Sequence, residues 1–224
     1  MPLTVEAKEN IRLRFLGVDT SNVADVLDGL DLRDQGLAPD LLPLSGERLA
    51  GWAYTIVGKT VPYESAGDPS KMEACTGISA GEVSVWSGDG VGVCYFGELI
   101  ALGMQERGSV GAIIDGGVRD LKWLRQHDFP LFARYRTPVQ SIGRWQVTSW
   151  QRPASVRGAT STWVTVHPGD FVLADEDGCI VVPGARAEEV LTATEALTRT
   201  EVEIRDALRQ GVPLAECLRR YGHV

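Results

Sequence analysis

The spacing of apolar positions changes several times along the chain, and each change predicts a different element. Residues 4–16 set Ile11, Leu13 and Phe15 among charged neighbours and predict a helix. Asp19-Thr20-Ser21-Asn22 is a cluster of residues whose side chains cap helices, so a second helix is expected from near Ser21. Residues 31–46 are rich in Gly, Pro, Asp and Ser and read as loop. Trp52 to Val61, with Tyr54, Ile56 and Val57, suits a strand, and residues 62–70 form a polar loop. Met72 to Ile78 predicts a short helix ended by Ser79-Ala80-Gly81. Glu82 to Trp86 then reads as a strand entering a glycine-rich loop.

The middle of the chain is the clearest. Gly97 to Gln105 predicts a helix, and Val110-Gly111-Ala112-Ile113-Ile114 a fully buried strand that stops at a turn, Asp115-Gly116-Gly117. Leu121 to His127 is again helical, and Phe129 to Ala133 is a second buried strand. This order implies an α/β fold with a parallel or mixed sheet and helices packed on it. Residues 164–183 alternate strands with Pro168-Gly169 and Asp177-Gly178 turns, the second a hairpin signal. Residues 186–210 form a long amphipathic helix, broken at Val212-Pro213 before a short terminal helix. No repeat or linker interrupts the pattern, so residues 1–224 are expected to form one domain.

Composition removes several function classes. The net charge is −8, whereas binding through phosphate neutralisation needs clustered Lys and Arg; no nucleic-acid partner is expected. No apolar run reaches the ~18 residues of a membrane span, and the N-terminus lacks a basic-then-apolar leader. A cytoplasmic protein without membrane contact is therefore expected. Cys75, Cys94, Cys179 and Cys217 form no Cys-x-x-Cys pair and read as buried reduced thiols. His127, His167 and His223 show no metal-ligand spacing.

Three motifs bear on chemistry. Gly77-Ile78-Ser79-Ala80-Gly81 has the Gly-x-Ser-x-Gly form of a nucleophile elbow, but that device needs a strand before the serine and a helix after it. The order here is the reverse, which favours a plain helix end. Gly88-Asp89-Gly90-Val91-Gly92 follows a strand, but Val93-Cys94-Tyr95-Phe96 favours strand or loop where a dinucleotide site needs a helix. Arg119-Asp120 follows a buried strand and opens a helix, where ligands collect in α/β sheets. Arg119 can fork two hydrogen bonds to a carboxylate, and Asp120 can give a hard oxygen to a divalent ion. A helix cap and a surface ion pair explain the same two residues equally well from spacing alone. Glu98, separated from Arg119 by twenty residues, tips the balance. A helix running back along the sheet would bring Glu98 and Asp120 to one edge, facing one cavity.

At these residues the chain resembles the RraA-like family, which includes the class II 4-hydroxy-4-methyl-2-oxoglutarate aldolases. The resemblance lies in Gly97-Glu98-Leu99, in Gly111 to Asp120, in Phe129 to Arg134, and in Pro168-Gly169-Asp170. It extends to Ala174 to Pro183 and to Thr20 to Asp25, and so spans nearly the whole chain. It implies a layered α/β sandwich related to the phosphohistidine-swivelling domain, assembled as a homotrimer or hexamer. It further implies a lyase dependent on Mg2+ or Mn2+ that cleaves a 4-hydroxy-2-oxo acid, or decarboxylates oxaloacetate, to pyruvate through a metal-stabilised enolate. By the same resemblance Asp120 ligates the metal and Glu98 acts on it through water. Arg119 contacts substrate, and the backbone amides of Leu99 and Ile100 hold the pyruvate carboxylate. An acid of the C-terminal helix of a neighbouring subunit completes the outer shell; Glu201 is the best match, with Glu195 or Glu203 as alternatives.

The residues suit that chemistry on their own terms. Breaking a C–C bond beside a 2-oxo group leaves an enolate, and a divalent ion with the Arg119 charge stabilises it. Two features depart from the family. Residues 145–163 carry Trp145, Trp150 and Trp163 with Arg152 and Arg157, read as a packed strand pair or a subunit contact. The 62–70 loop lacks an Asp-Asn pair common among relatives. Two other readings stand beside the lyase: a non-catalytic protein regulator of a ribonuclease, like the family's namesake branch, and a Schiff-base aldolase using Lys122 or Lys59.

Overall fold

The computed structural model describes residues 3–63, 67–88 and 92–224. Among these residues eleven strands and seven α-helices follow one another as α1 (Val5–Phe15), α2 (Thr20–Gly29), β1 (Leu42–Ser45), β2 (Leu49–Thr60), α3 (Pro69–Thr76), β3 (Glu82–Ser87), β4 (Cys94–Phe96), α4 (Glu98–Gln105), β5 (Gly111–Val118), α5 (Leu121–Gln126), β6 (Leu131–Arg136), β7 (Trp145–Trp150), β8 (Ala154–Arg157), β9 (Trp163–Val166), β10 (Phe171–Asp175), β11 (Gly178–Val182), α6 (Ala187–Arg209) and α7 (Leu214–Tyr221). The main sheet runs β1-β6-β5-β3-β2-β10-β11, with β4 beside β5 and β7 beside β2. Its centre, β6-β5-β3-β2, is parallel, and the flanking pairs are antiparallel. The fold is α/β, as the order of elements predicts.

Alternation along each strand divides the core. On β3 and β5, Trp86, Ala112 and Ile114 join one apolar cluster with Ala101 and Met104 of α4 and Leu124 of α5, while Val83, Val85 and Ile113 join another with Val156 and Val164 of the β8–β9 pair. A third cluster seals Ile11 and Phe15 of α1, Val23 and Leu27 of α2 and Val190 and Leu191 of α6 against Trp52, Phe171 and Leu173. Among the described residues no helix is long and apolar enough to cross a membrane.

Three expectations are corrected. Asp115-Gly116-Gly117 is not a turn: β5 continues through it to Val118. The glycines make room, since a Cβ at Gly116 would stand 2.1 Å from the Tyr95 ring and one at Gly117 2.4 Å from the Tyr135 ring. Asp115 is fully buried; its carboxylate accepts from the Arg157 backbone N–H at 3.1 Å and pairs with the Arg157 guanidinium at 3.0 Å. It is therefore a structural anchor between β5 and β8. Secondly, the 31–46 segment contains β1, whose pairing with β6 supplies an order that its local composition does not. Thirdly, the hairpin turn is Glu176-Asp177, because Asp175 pairs with Gly178. The tryptophan segment is the strand β7, laid against β2, followed by the β8–β9 pair. Trp145 is buried, stacked on Tyr95 at 4.3 Å, in a slot opened by Gly58 and Gly88. Of the glycine cluster at 88–92, Asp89 to Val91 lie outside the described residues, as do Glu64 to Ala66 of the 62–70 loop.

Candidate active site

The ends of β4 and β5 meet where Arg119 N donates to Phe96 O at 3.1 Å. The next residue, Asp120, adopts the left-handed region (φ 63, ψ 30), which aspartate tolerates better than most residues because its short side chain bonds locally. That conformation stops the strand and starts α5, yet the Asp120 side chain does not cap α5. Instead its Oδ2 accepts from the backbone N–H of Glu98 at 3.3 Å, and Arg119 Nε lies 3.5 Å from the same oxygen. Gly97 permits this approach: a Cβ there would stand 2.6 Å from Oδ2. Of the cap-and-ion-pair alternative, only the ion pair is present.

Arg119 and Asp120 line a cavity of about 730 Å3 together with Leu99 and Ile100 of α4, Lys71, Met72 and Cys75 of α3, and Ser141 and Ile142. The volume lies within the range of small-molecule sites. The first N–H groups of a helix have no intrahelical partner, and those of Leu99 and Ile100 find no acceptor among the described residues. Arg119, Asp120, Leu99 and Ile100 of the sequence-derived set thus line one opening, and Glu98 does not. Glu98 reaches Asp120 by its backbone, while its carboxylate lies 3.8 Å from His127 Nε2 and does not line the cavity.

The helix acids lie elsewhere in the chain. Glu201 pairs with Arg205 at 2.6 Å and stands 3.4 Å from His223 Nε2. Glu195 is gripped by both Nε and Nη2 of Arg14. Glu203 is exposed. None of the three lines the cavity of its own chain. Ser79 sits in the helix-to-strand turn with its N–H donating to Glu82, so the Gly-x-Ser-x-Gly stretch is a helix end. All four cysteines are free. Burial pushes the Cys75 thiol up to about 12 and raises Cys94 as well, so both keep their protons at neutral pH.

Sequence reasoning missed Lys71. It is 8% exposed, and burial, the largest influence, pushes its amine below the ordinary lysine range. Lys71, Ala74, Cys75 and Ile78 recur at i, i+3, i+4 and i+7, and that spacing was the available signal that this lysine faces inward. Lys59 and Lys122 do not line the cavity; Lys122 instead lies over the Trp123 ring.

Among the described residues no three His, Cys, Asp or Glu side chains cluster around a metal position. Of the acids lining the cavity, Asp68 has both oxygens committed to the backbone N–H groups of Lys71 and Val147. Among the described residues, Asp120 is the other. One carboxylate beside a roomy cavity fits a hard ion that keeps most of its water, such as Mg2+ or Mn2+, better than Zn2+ with its three or four protein ligands.

The fold and site define an α/β protein with an arginine-aspartate pair just past the end of the interior strand β5 of a mixed sheet, lining a cavity. Residues 20–181 match the RraA-like family, Aldolase/RraA, and the chain belongs to that family. It is 27% identical to a putative 4-hydroxy-4-methyl-2-oxoglutarate aldolase of Halalkalibacterium halodurans, over 83% of this chain and 82% of that protein. It is also 27% identical to Protein DlpA of Legionella pneumophila, over 95% of this chain but 34% of that protein, so the chain spans about a third of this relative's length. The fold is shared with Streptomyces coelicolor RraAS2, described as an unusual member of the RNase ES inhibitor RraA protein family. The TM-score is 0.74 at 21% identity, covering 88% of this chain and 96% of that one.

Proposed function

We propose that the chain is a carbon–carbon lyase that cleaves a 4-hydroxy-2-oxo acid, or decarboxylates oxaloacetate, to pyruvate. The observation that carries the reading is Asp120, held in a left-handed conformation, uncommitted to its own helix and turned to the cavity beside Arg119. The aldolase-named relative supports it.

In this reading Asp120 would hold Mg2+ or Mn2+, and Glu98, whose carboxylate lies 3.8 Å from His127 Nε2, would turn from that contact to act on the ion through water. The ion, when bound, supplies a Lewis acid to the 2-oxo oxygen. The amides of Leu99 and Ile100 receive the carboxylate beside that oxygen, since free N–H groups at a helix start favour anions. The 4-hydroxyl gives its proton to water as its carbon becomes the carbonyl of the departing fragment (with oxaloacetate the carboxylate departs as CO2), and the electron pair of the broken C–C bond moves to the carbon beside the 2-oxo group and forms an enolate. Arg119 places a fixed positive charge there, and a proton returned to carbon gives pyruvate.

The test is pyruvate release from oxaloacetate and from 4-hydroxy-2-oxo acids, with and without chelator. Activity should vanish in chelator and return with Mg2+ or Mn2+. Full activity in chelator, or no pyruvate from any of these acids, overturns the proposal.

A further inference from the structure

The cavity extends well beyond the residues that the proposed reaction uses. Leu99, Gly103 and Arg107 line it at i, i+4 and i+8, so it follows one face of α4 from the amide end to just past the last turn. At ~1.5 Å per residue that distance is roughly 12 Å. Met72, Cys75 and Thr76 line it along α3 in the same way. A pyruvate unit held at Arg119, Asp120 and the amides of Leu99 and Ile100 fills only the first part of this length. The side chains around the remainder are chiefly apolar: Leu99, Met72 and Ile142 stand 79%, 52% and 48% exposed around the opening. Thr76 turns its hydroxyl back to donate to Met72 O at 2.8 Å, and the Cys75 thiol is neutral. Gly103 leaves open space, since a Cβ there would meet nothing within 4 Å, although alanine would make the better helix. The nearby charges lie to the side. Lys71 is 8% exposed and turned onto Ser141 Oγ at 3.3 Å and the rings of Trp86 and Trp145, and Arg107 stands exposed at the far rim. Large apolar side chains gathered in the open around one cavity mark a place that receives an apolar group.

We propose that this apolar extension receives the C4 substituent of the substrate, so that the cavity takes 4-hydroxy-2-oxo acids with an apolar chain or ring at C4 and releases an apolar aldehyde or ketone beside pyruvate. The proposal rests on the lyase reading and keeps its bond changes: the C3–C4 bond breaks, its electron pair goes to C3, and C4 leaves as the carbonyl. What it adds is the chemical class of the leaving fragment. An apolar fragment removes from water the surface of Leu99, Met72 and Ile142 that otherwise stays exposed. A carboxylate in the same place would have to be desolvated against those side chains.

The experiment reads binding apart from turnover. Pyruvate, 2-oxohexanoate and 2-oxoglutarate are titrated by calorimetry, with Mg2+ present, into the wild-type chain and into Gly103→Leu, which fills the open position with a good helix former. 2-Oxohexanoate carries three more methylenes than pyruvate, and each one buried is worth about fourfold, so the wild type should bind it roughly 10- to 60-fold tighter. 2-Oxoglutarate should bind more weakly than 2-oxohexanoate. Gly103→Leu should lose most of the methylene gain and keep its pyruvate affinity within about twofold. If Gly103→Leu does not fold, Met72→Asp on the exposed side of α3 serves instead and should weaken 2-oxohexanoate about tenfold. Equal binding of pyruvate and 2-oxohexanoate, tighter binding of 2-oxoglutarate, or a gain untouched by the variant overturns the proposal. A flat series, together with an oligomer that Leu99→Glu dissociates in light scattering, also overturns it and gives the surface to a second copy of the chain. Pyruvate release is then measured from 4-hydroxy-2-oxoheptanoate, whose other product is butanal. The methylene gain without pyruvate release from any hydroxylated acid sinks the lyase reading alone; pyruvate release without the gain sinks the apolar subsite alone.

Discussion

Gly97→Ala separates the position of the Asp120 carboxylate from its presence. The new Cβ would stand 2.6 Å from Oδ2 and 3.3 Å from Arg119 Cγ, whereas ordinary contact begins at 3.4 Å. Oδ2 must therefore retreat by about 0.8 Å, the difference between those distances. The backbone does not resist the substitution, since Gly97 is extended at φ −156, ψ −178, a conformation open to alanine. Losing a glycine lowers the entropy of the unfolded chain and contributes about 0.4–1 kcal/mol of stability. Weakening the half-exposed Glu98 N–H bond to Asp120 costs a similar ~0.5–1 kcal/mol. The two effects nearly cancel, so the melting temperature should stay within a few degrees of wild type. Turnover should not: a misplacement approaching 1 Å at a reacting centre costs on the order of 10²-fold. Steady-state pyruvate release, Mn2+ titration by calorimetry and a thermal melt on one preparation make the comparison. A variant that melts, binds Mn2+ and turns over like wild type refutes the reasoning.

Asp120→Gly relieves the left-handed backbone and should unfold in urea about 1 kcal/mol later than Asp120→Ala, while both lose metal-dependent turnover. Arg119→Lys keeps the charge but loses the planar fork, so turnover should fall about 10²–10³-fold with metal affinity unchanged by calorimetry. Gly58→Ala sets a Cβ 2.1 Å from the Trp145 ring and should cost ~1–3 kcal/mol, read as a lower urea midpoint with an unchanged slope. If a neighbouring chain's α6 completes the site through Glu201, the active species is an oligomer; light scattering that finds a fully active monomer removes Glu201.

What the sequence determines alone is what local periodicity and local chemistry encode. The 3.6-residue repeat over residues 186–210 appears as α6, and the apolar run at 110–114 appears at the start of β5. Arg119-Asp120 is legible because strand end, arginine and acid are consecutive. Only the tertiary structure decides elements whose partners are remote in sequence. Asp115-Gly116-Gly117 has the composition of a turn, but its burial answers to Arg157, forty-two residues on, and its glycines to the rings of Tyr95 and Tyr135. β1 exists because β6 pairs with it. The direction of the Glu98 carboxylate depends on His127, on a different helix end. Lys71 shows its inward face in the helical spacing, yet its surroundings come from Ser141 and Trp145, some seventy residues away. Side-chain period is a property of neighbours along the chain; burial, charge balance and the room for a ring are properties of neighbours in space.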